Sequence, residues 1–355
     1  MNFVHKLRSL RLRTKFLVAA ILSGVIWILW SDEGGRQTLY PPNLSAASSQ
    51  PCIEMQPEFG PYQEAVVRAP GLHCVATDFW QQRLYGAGHS GPASYRSLIS
   101  IDGGNVIIDL MSHTLHSAGH SSGITAFVRL NMGSAKYSKL PYGLQTTNIT
   151  VKNGIIDLRG LGTGVEFINR WNMFGIDEPV PTELTGYEKS KFVLENLLIK
   201  TDNVGVILEG DGNIIRNCVI ESGGNAAIMM AGPNGQIINN TIVLTNPFIP
   251  ASMAGMQKNF TDQRYISEFL ERKKVLRAAI ALHQATGTVI SGNRIEVKGK
   301  SATRHNIYIS NGSKDVRVEG NTIVGTDAPV TLLDGSTVEL KNNVFEKKKV
   351  NWWTF

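Results

Sequence analysis

Short β-branched runs return along this chain at a nearly fixed interval, and an asparagine stands at the head of each. The residues are Asn105 in NVIID, Asn153 in NGIID, Asn196 in NLLIK, Asn217 in NCVIE, Asn240 in NTIVL, Asn293 in NRIEV, Asn321 in NTIVG and Asn343 in NVFEK. The cleanest intervals, Asn196 to Asn217, Asn217 to Asn240 and Asn321 to Asn343, are 21, 23 and 22 residues. A period of that size carrying strand-forming residues is the mark of a solenoid, each turn of which is one supersecondary unit. The eight asparagines are assigned one structural position: a stack in which each amide bonds the next and satisfies a buried polar group in its coil.

Between asparagines the pattern resolves into three strands. One precedes the asparagine (NIIRN, QIINN, TVISGN, DVRVEGN, TVELKNN). A second follows it, with an apolar residue two places on: Ile155, Leu198, Val219, Ile242, Ile295, Ile323 and Phe345. Strand alternation sends that set to the core. The third strand reads GVEFI, VGVIL, AAIMM, AAIAL, NIYIS and PVTLL. Abundant glycine (35) and sparse charge (18%) suit many short strands joined by tight turns.

Period, asparagine and alternation together resemble the right-handed parallel β-helix of the pectin-lyase-like superfamily, where an asparagine ladder fills the turn between the second and third sheets. The resemblance implies an all-β, three-sheet solenoid over residues 95–348, with the GVEFI-to-PVTLL set as its first sheet, PB1. It implies no particular activity. The NTD, DD, GHG and RIK motifs of polygalacturonases are missing, Thr201, Asp202 and Asn203 being a faint echo of the first. The calcium aspartates and RxPxxR of pectate lyases and the DPHD of alginate epimerases are missing as well.

Residues 31–94 are assigned to a linker and N-terminal cap, and 349–355 to a C-terminal cap in which Trp352, Trp353 and Phe355 cover the last coil. Residues 1–30 form a leader. Lys6, Arg8, Arg11, Arg13 and Lys15 precede an uncharged run over 16–30, the pattern of an export signal. No A-x-A site precedes Ser31, and Trp27 and Trp30 suit a membrane interface. An uncleaved inner-membrane anchor, with the body facing the periplasm, is therefore expected; cleavage would give a secreted protein instead. Five of the 35 basic residues lie in this leader and all 29 acids beyond it, so the remainder carries 30 minus 29, or +1. That balance argues against nucleic acid as a partner. Cys52 and Cys74 flank YQEAVVRA, a short capping helix, and are either disulfide-bonded or free thiols; Cys218 has no evident partner.

Two excursions break the period, at 169–191 and 245–277. One leaves past the end of a PB1 strand and the other returns just before one, so both should wall a cleft over that sheet. The second carries TDQRYISEFLERKKVLR, a helix that acts as a lid or packs on the solenoid. Alternation along PB1 points Glu166, Ile207, Met229, Ala281, Tyr308 and Thr331 outward in one column, and Ile168, Glu209, Ala231, His283, Ser310 and Leu333 in the next. Gly164, Gly205, Ala227 and Ala279 are expected to leave a low floor beside them.

Glu209, His283 and Glu166 are the candidate catalytic residues. Carboxylates across a sugar divide acid and base work, and a histidine moves the C5 proton of a uronic acid while an arginine neutralises its carboxylate. Arg129, Arg304, Tyr308, Trp171 and Asp211 are the candidate substrate-binding residues, although Asp211, like Asp202, also fits turn chemistry. His113, His116 and His120 lack a further ligand at diagnostic spacing, so a metal ion is without support and no cofactor is expected. The partner expected is an acidic polysaccharide, with the membrane contacted through the leader. The function expected is that of a lyase, epimerase or hydrolase; the alternative is a non-catalytic carbohydrate-binding or polysaccharide-assembly module.

Overall fold

The computed structural model describes residues 51–56, 65–81, 97–117, 122–127, 147–159, 162–168, 190–224, 226–245, 277–298, 304–310, 312–326, 328–333 and 335–346. The leader, most of both excursions and the tail beyond Glu346 lie outside them, as do Arg129, Trp171, His120 and the expected lid helix. All regular structure among the described residues is strand, and none of it is a helix long and apolar enough to cross a membrane.

The strands pair in parallel throughout. One nine-stranded sheet, here the front sheet, stacks Ala65–Val67, Ser97–Ile101, Ser122–Phe127, Val165–Ile168, Val206–Glu209, Ala226–Ala231, Arg277–His283, Arg304–Ser310 and Val330–Leu332. A 17-stranded sheet carries the rest. Its pairings run in two ladders joined by the long strands Ile149–Leu158 and Val193–Thr201, which bend at Asn153 and Asn196 and serve both. The second ladder holds strands such as Ile214–Arg216 and Gln236–Ile238, and the third holds Val219–Ser222 and Thr241–Leu244. This is an all-β, parallel-strand solenoid.

The ladders begin earlier than residue 95. Ile53–Met55 pairs with Gly71–Val75, and Ala65–Val67 pairs with Ser97–Ile101, so coil stacking runs into the segment expected to be linker and cap. Ala65, Val66 and Val67 of the expected capping helix are a strand; their β-branched and small side chains join the front sheet rather than coil locally. Cys52 and Cys74 are disulfide-bonded, with Cα atoms 5.8 Å apart.

The interior is a continuous stack of Ile, Leu, Val and Phe drawn from all three ladders. Phe167 and Phe192 meet edge-on inside it, with ring centroids 5.1 Å apart.

The eight asparagines do not share one position. Asn240, Asn293 and Asn321, with the half-buried Asn343 at the last coil, form the ladder: each Nδ2 donates to the next Oδ1 at 3.0 Å, from Asn240 to Asn293, Asn293 to Asn321, and Asn321 to Asn343. Each Nδ2 also donates to a carbonyl of an earlier strand: Ile215, Ile237, Ile290 and Val318 in turn. Register places Asn153, Asn196 and Asn217 one residue earlier, in line with Asn239, Gly292, Gly320 and Asn342. All seven have positive φ, between 53° and 64°. That column selects for a left-handed backbone, which Asn and Gly tolerate, and the next column selects for a buried amide. Asn105 belongs to a different corner, where Asn148 donates to it at 2.9 Å.

This offset corrects part of the expected core. Counting two places from Asn153, Asn196 and Asn217 lands on Ile155, Leu198 and Val219, but the residues inside are Ile156, Ile199 and Ile220, all fully buried in the main cluster. A one-residue slip along a strand exchanges its faces. The first rung of the amide column is Cys218, whose backbone N–H donates to Asn240 Oδ1 at 2.9 Å.

Candidate functional site

The outer face of the front sheet is built by strict register. Thr125, Glu166, Ile207, Met229, Ala281, Tyr308 and Thr331 are aligned in one column. Glu209, Ala231, His283 and Ser310 are aligned in the next. The expected floor is absent. A Cβ added at Gly164 or Gly205 would strike Ile199 or Ile220 of the interior, and Ala227 and Ala279 belong to the main core. The chain turns its corner there, so two successive residues face inward. The outer column beside them instead holds Ala226 and Ala278, which cluster with Ala281, Tyr308 and Met229.

Glu166 is half-buried, and burial pushes its carboxyl up to about 7, against the opposing pull of a hydrogen bond from Ser122. Charge is costly where water is scarce, so the neutral form is favoured. Upstream lies a row of buried hydroxyls: Thr125 Oγ1 donates to Ser97 Oγ at 2.8 Å, and Ser97 and Ser100 share a hydrogen bond of 2.7 Å.

Glu209 is 5% exposed. It lies one strand from Glu166 and two residues out of step, about 8 Å away at Cα by strand geometry. His283 lies two strands from Glu209 in the same column, about 10 Å away by the same spacing. Burial lowers the pKa of the His283 imidazole, and its Nδ1 is 3.4 Å from Ser310 Oγ.

Tyr308 is 5% exposed and its ring centroid is 5.4 Å from that of His305. The His305 Nδ1 lies 2.8 Å from Thr331 Oγ1, and burial again lowers this imidazole's pKa. Arg304 is 8% exposed and donates to the Lys298 carbonyl. Asp211 sits at a corner between coils, where Asn234 Nδ2 donates to its carboxylate at 2.8 Å. Among the described residues no group of three or more His, Cys, Asp or Glu side chains is arranged to hold a metal.

One residue at this edge escaped the sequence reading. Arg277, register partner of Arg304, is 2% exposed. It donates to the carbonyls of Gly223, Gly224 and Thr245. Desolvation, with the nearby Arg304 charge, brings its pKa down to about 10. Thr245 is the last described residue before the second excursion and Arg277 the first after it, so this guanidinium pins the two ends together. Its position at an excursion boundary is the only signal the sequence offered.

Residues 186–352 match the family profile described as the right handed beta helix region. That match covers just under half of the chain, and the stacked strand ladders make the fold a parallel β-helix. Two solved structures resemble it. One is the enzymatically active domain of tailspike protein 2 from bacteriophage CBA120, at 13% identity and a TM-score of 0.42, covering 79% of this chain and 38% of that one. The other is full-length tailspike protein 2 from the Escherichia coli O157:H7 bacteriophage CAB120, at 13% identity and a TM-score of 0.43, covering 79% of this chain and 34% of that one. This β-helix chain therefore spans well under half the length of either tailspike. No curated protein matches it.

Proposed function

We propose that this β-helix protein is exported and acts on an acidic polysaccharide lying across the outer face of the front sheet. The observation that carries the reading is the pairing of Glu166 with Glu209 on adjacent strands. With Cα atoms about 8 Å apart and both residues in outward columns, the two carboxyls can flank a sugar, one protonating a glycosidic oxygen and the other activating water behind the anomeric carbon. Burial suits Glu166 to the acid role, because a carboxyl held neutral near pH 7 has a proton to give. Glu209 is then the base. The acidic character of the substrate is carried forward from the sequence, where Arg129 and Arg304 are the cations assigned to a uronate carboxylate. Export is supported by the disulfide, a bond that persists in oxidising compartments.

A second reading follows from His283. Its lowered pKa leaves the ring neutral at pH 7, in the form that abstracts a C5 proton from a uronate, as elimination or epimerisation requires. One experiment separates these readings. Purified protein is incubated with a panel of acidic polysaccharides, and reducing ends, unsaturated products and C5 configuration are followed. Hydrolysis that falls at least about 100-fold in both Glu166→Gln and Glu209→Gln supports the paired-carboxyl mechanism. Unsaturated or epimerised product that disappears in His283→Ala transfers the chemistry to the histidine. Binding without product, unchanged by all three substitutions, would leave a carbohydrate-binding module.

A further inference from the structure

The third ladder has an outer face of its own, turned away from the front sheet and unused by the reading above. Register lines up Trp80, His116, Asp157 and Lys200 on it in one outward row. Trp80 is 56% exposed, while most large apolar side chains among the described residues are interior. Its ring lies against that of His116, with centroids 4.7 Å apart and planes inclined at 45°. Together the two rings make a stacking floor.

Polar groups frame this floor. Arg159 Nε is 3.2 Å from Asp157 Oδ1 and its Nη1 is 3.9 Å from Asp202 Oδ1. His116 Nδ1 lies 3.9 Å from Asp157 Oδ2. On the other side the Thr114 N–H donates to Asp78 Oδ1 at 2.8 Å, and His113 Nδ1 lies 3.1 Å from the same atom. These contacts fix the side chains before any ligand arrives, which reduces the ordering cost of binding.

We propose that this row is a second glycan-binding surface, one that takes a neutral pyranose unit. The apolar C–H face of a pyranose stacks on an aromatic ring, whose electron-rich face attracts polarised hydrogens. Its hydroxyls then bond the carboxylate of Asp157 and the guanidinium of Arg159, groups that lie at the rim of the floor. Charge selects the class of sugar. Arg159 stands between two carboxylates, and Lys200, the other cation of the row, has the carboxylates Asp157 and Glu221 as its register neighbours, so neither charge is left over for a uronate. A third carboxylate, Asp78, borders the site and adds repulsion. The surface lies on a different ladder from Glu166 and Glu209, and its occupancy does not depend on their chemistry.

The test is a titration of the full chain with cellohexaose, laminarihexaose and hexagalacturonate, followed by calorimetry and tryptophan fluorescence. The expected result is saturable binding of a neutral hexamer, weakened at least about tenfold in Trp80→Ala and largely retained in Trp80→Phe, which keeps an aromatic face. Asp157→Asn should weaken it as well, while Glu209→Gln leaves it unchanged, which separates this surface from the front sheet. No binding of either neutral hexamer, or equal binding by the wild type and Trp80→Ala, overturns the proposal. Hexagalacturonate binding that depends on Trp80 overturns the neutral assignment.

Discussion

Asn321 Oδ1 accepts two hydrogen bonds from Asn293, one from its backbone N–H at 2.9 Å and one from its Nδ2 at 3.0 Å. The same double contact joins Asn240 to Asn293 and Asn321 to Asn343. The amide thus closes both the side-chain stack and the orphaned backbone donor at a corner where strand pairing lapses. Removing it strands several buried partners together. Asn293→Ala is expected to destabilise the fold by about 3 kcal/mol, the cost of burying unpaired donors and acceptors. Asn239→Gly, one residue before the ladder, should change stability by no more than about 0.5 kcal/mol, because that position asks only for positive φ. Urea denaturation of both variants checks the contrast; equal losses would refute the two-column assignment.

Cys218 occupies the first rung of the amide column. Its sulfur is hydrogen-bonded to the Leu197 N–H and, at 3.2 Å, to the Arg216 carbonyl. Burial pushes the thiol up to about 12, so it stays protonated and unreactive. Cys218→Asn should extend the ladder by one amide and raise stability by about 1 kcal/mol, measured by the same denaturation. Thiol reagents should label wild-type Cys218 only after unfolding.

Glu166 makes stability depend on pH in a defined direction. Its folded pKa of about 7 lies above the ordinary value of 4.5. The folded chain therefore holds this proton where the unfolded chain releases it. The contribution is complete below the ordinary value and is lost as pH rises through about 7. Thermal unfolding across that interval should show a falling wild-type midpoint relative to Glu166→Gln, whose neutral amide has nothing to release. Parallel curves would contradict the assignment.

Arg277 ties both ends of the second excursion to the preceding coil through carbonyls of Gly223, Gly224 and Thr245. Arg277→Ala should cost about 3 kcal/mol or more, since it leaves buried acceptors unpaired and removes packing volume. Arg277→Lys should recover only part of the loss, because an ammonium lacks the planar fork. Hydrogen exchange should quicken first in the strand Arg277–His283 in both variants.

Much of the solenoid follows from the sequence alone because the pleat fixes a side-chain period of two in every strand. GVEFI, VGVIL, AAIMM and AAIAL therefore disclosed which residues face outward, and Glu166, Glu209, His283 and Tyr308 stand in the columns that alternation gave them. Local pattern did not reveal which residue of one coil meets which residue of the next. Asparagine suits both a left-handed bend and a buried amide stack, and the two positions are adjacent, so Asn217 and Asn240 looked equivalent until register set Asn217 beside Asn239. The inward turn of Gly164 and Gly205, the burial of Arg277 and the meeting of Trp80 with His116 have the same origin. Each depends on contacts between residues a whole coil apart, and only the stacked chain brings those side chains within reach.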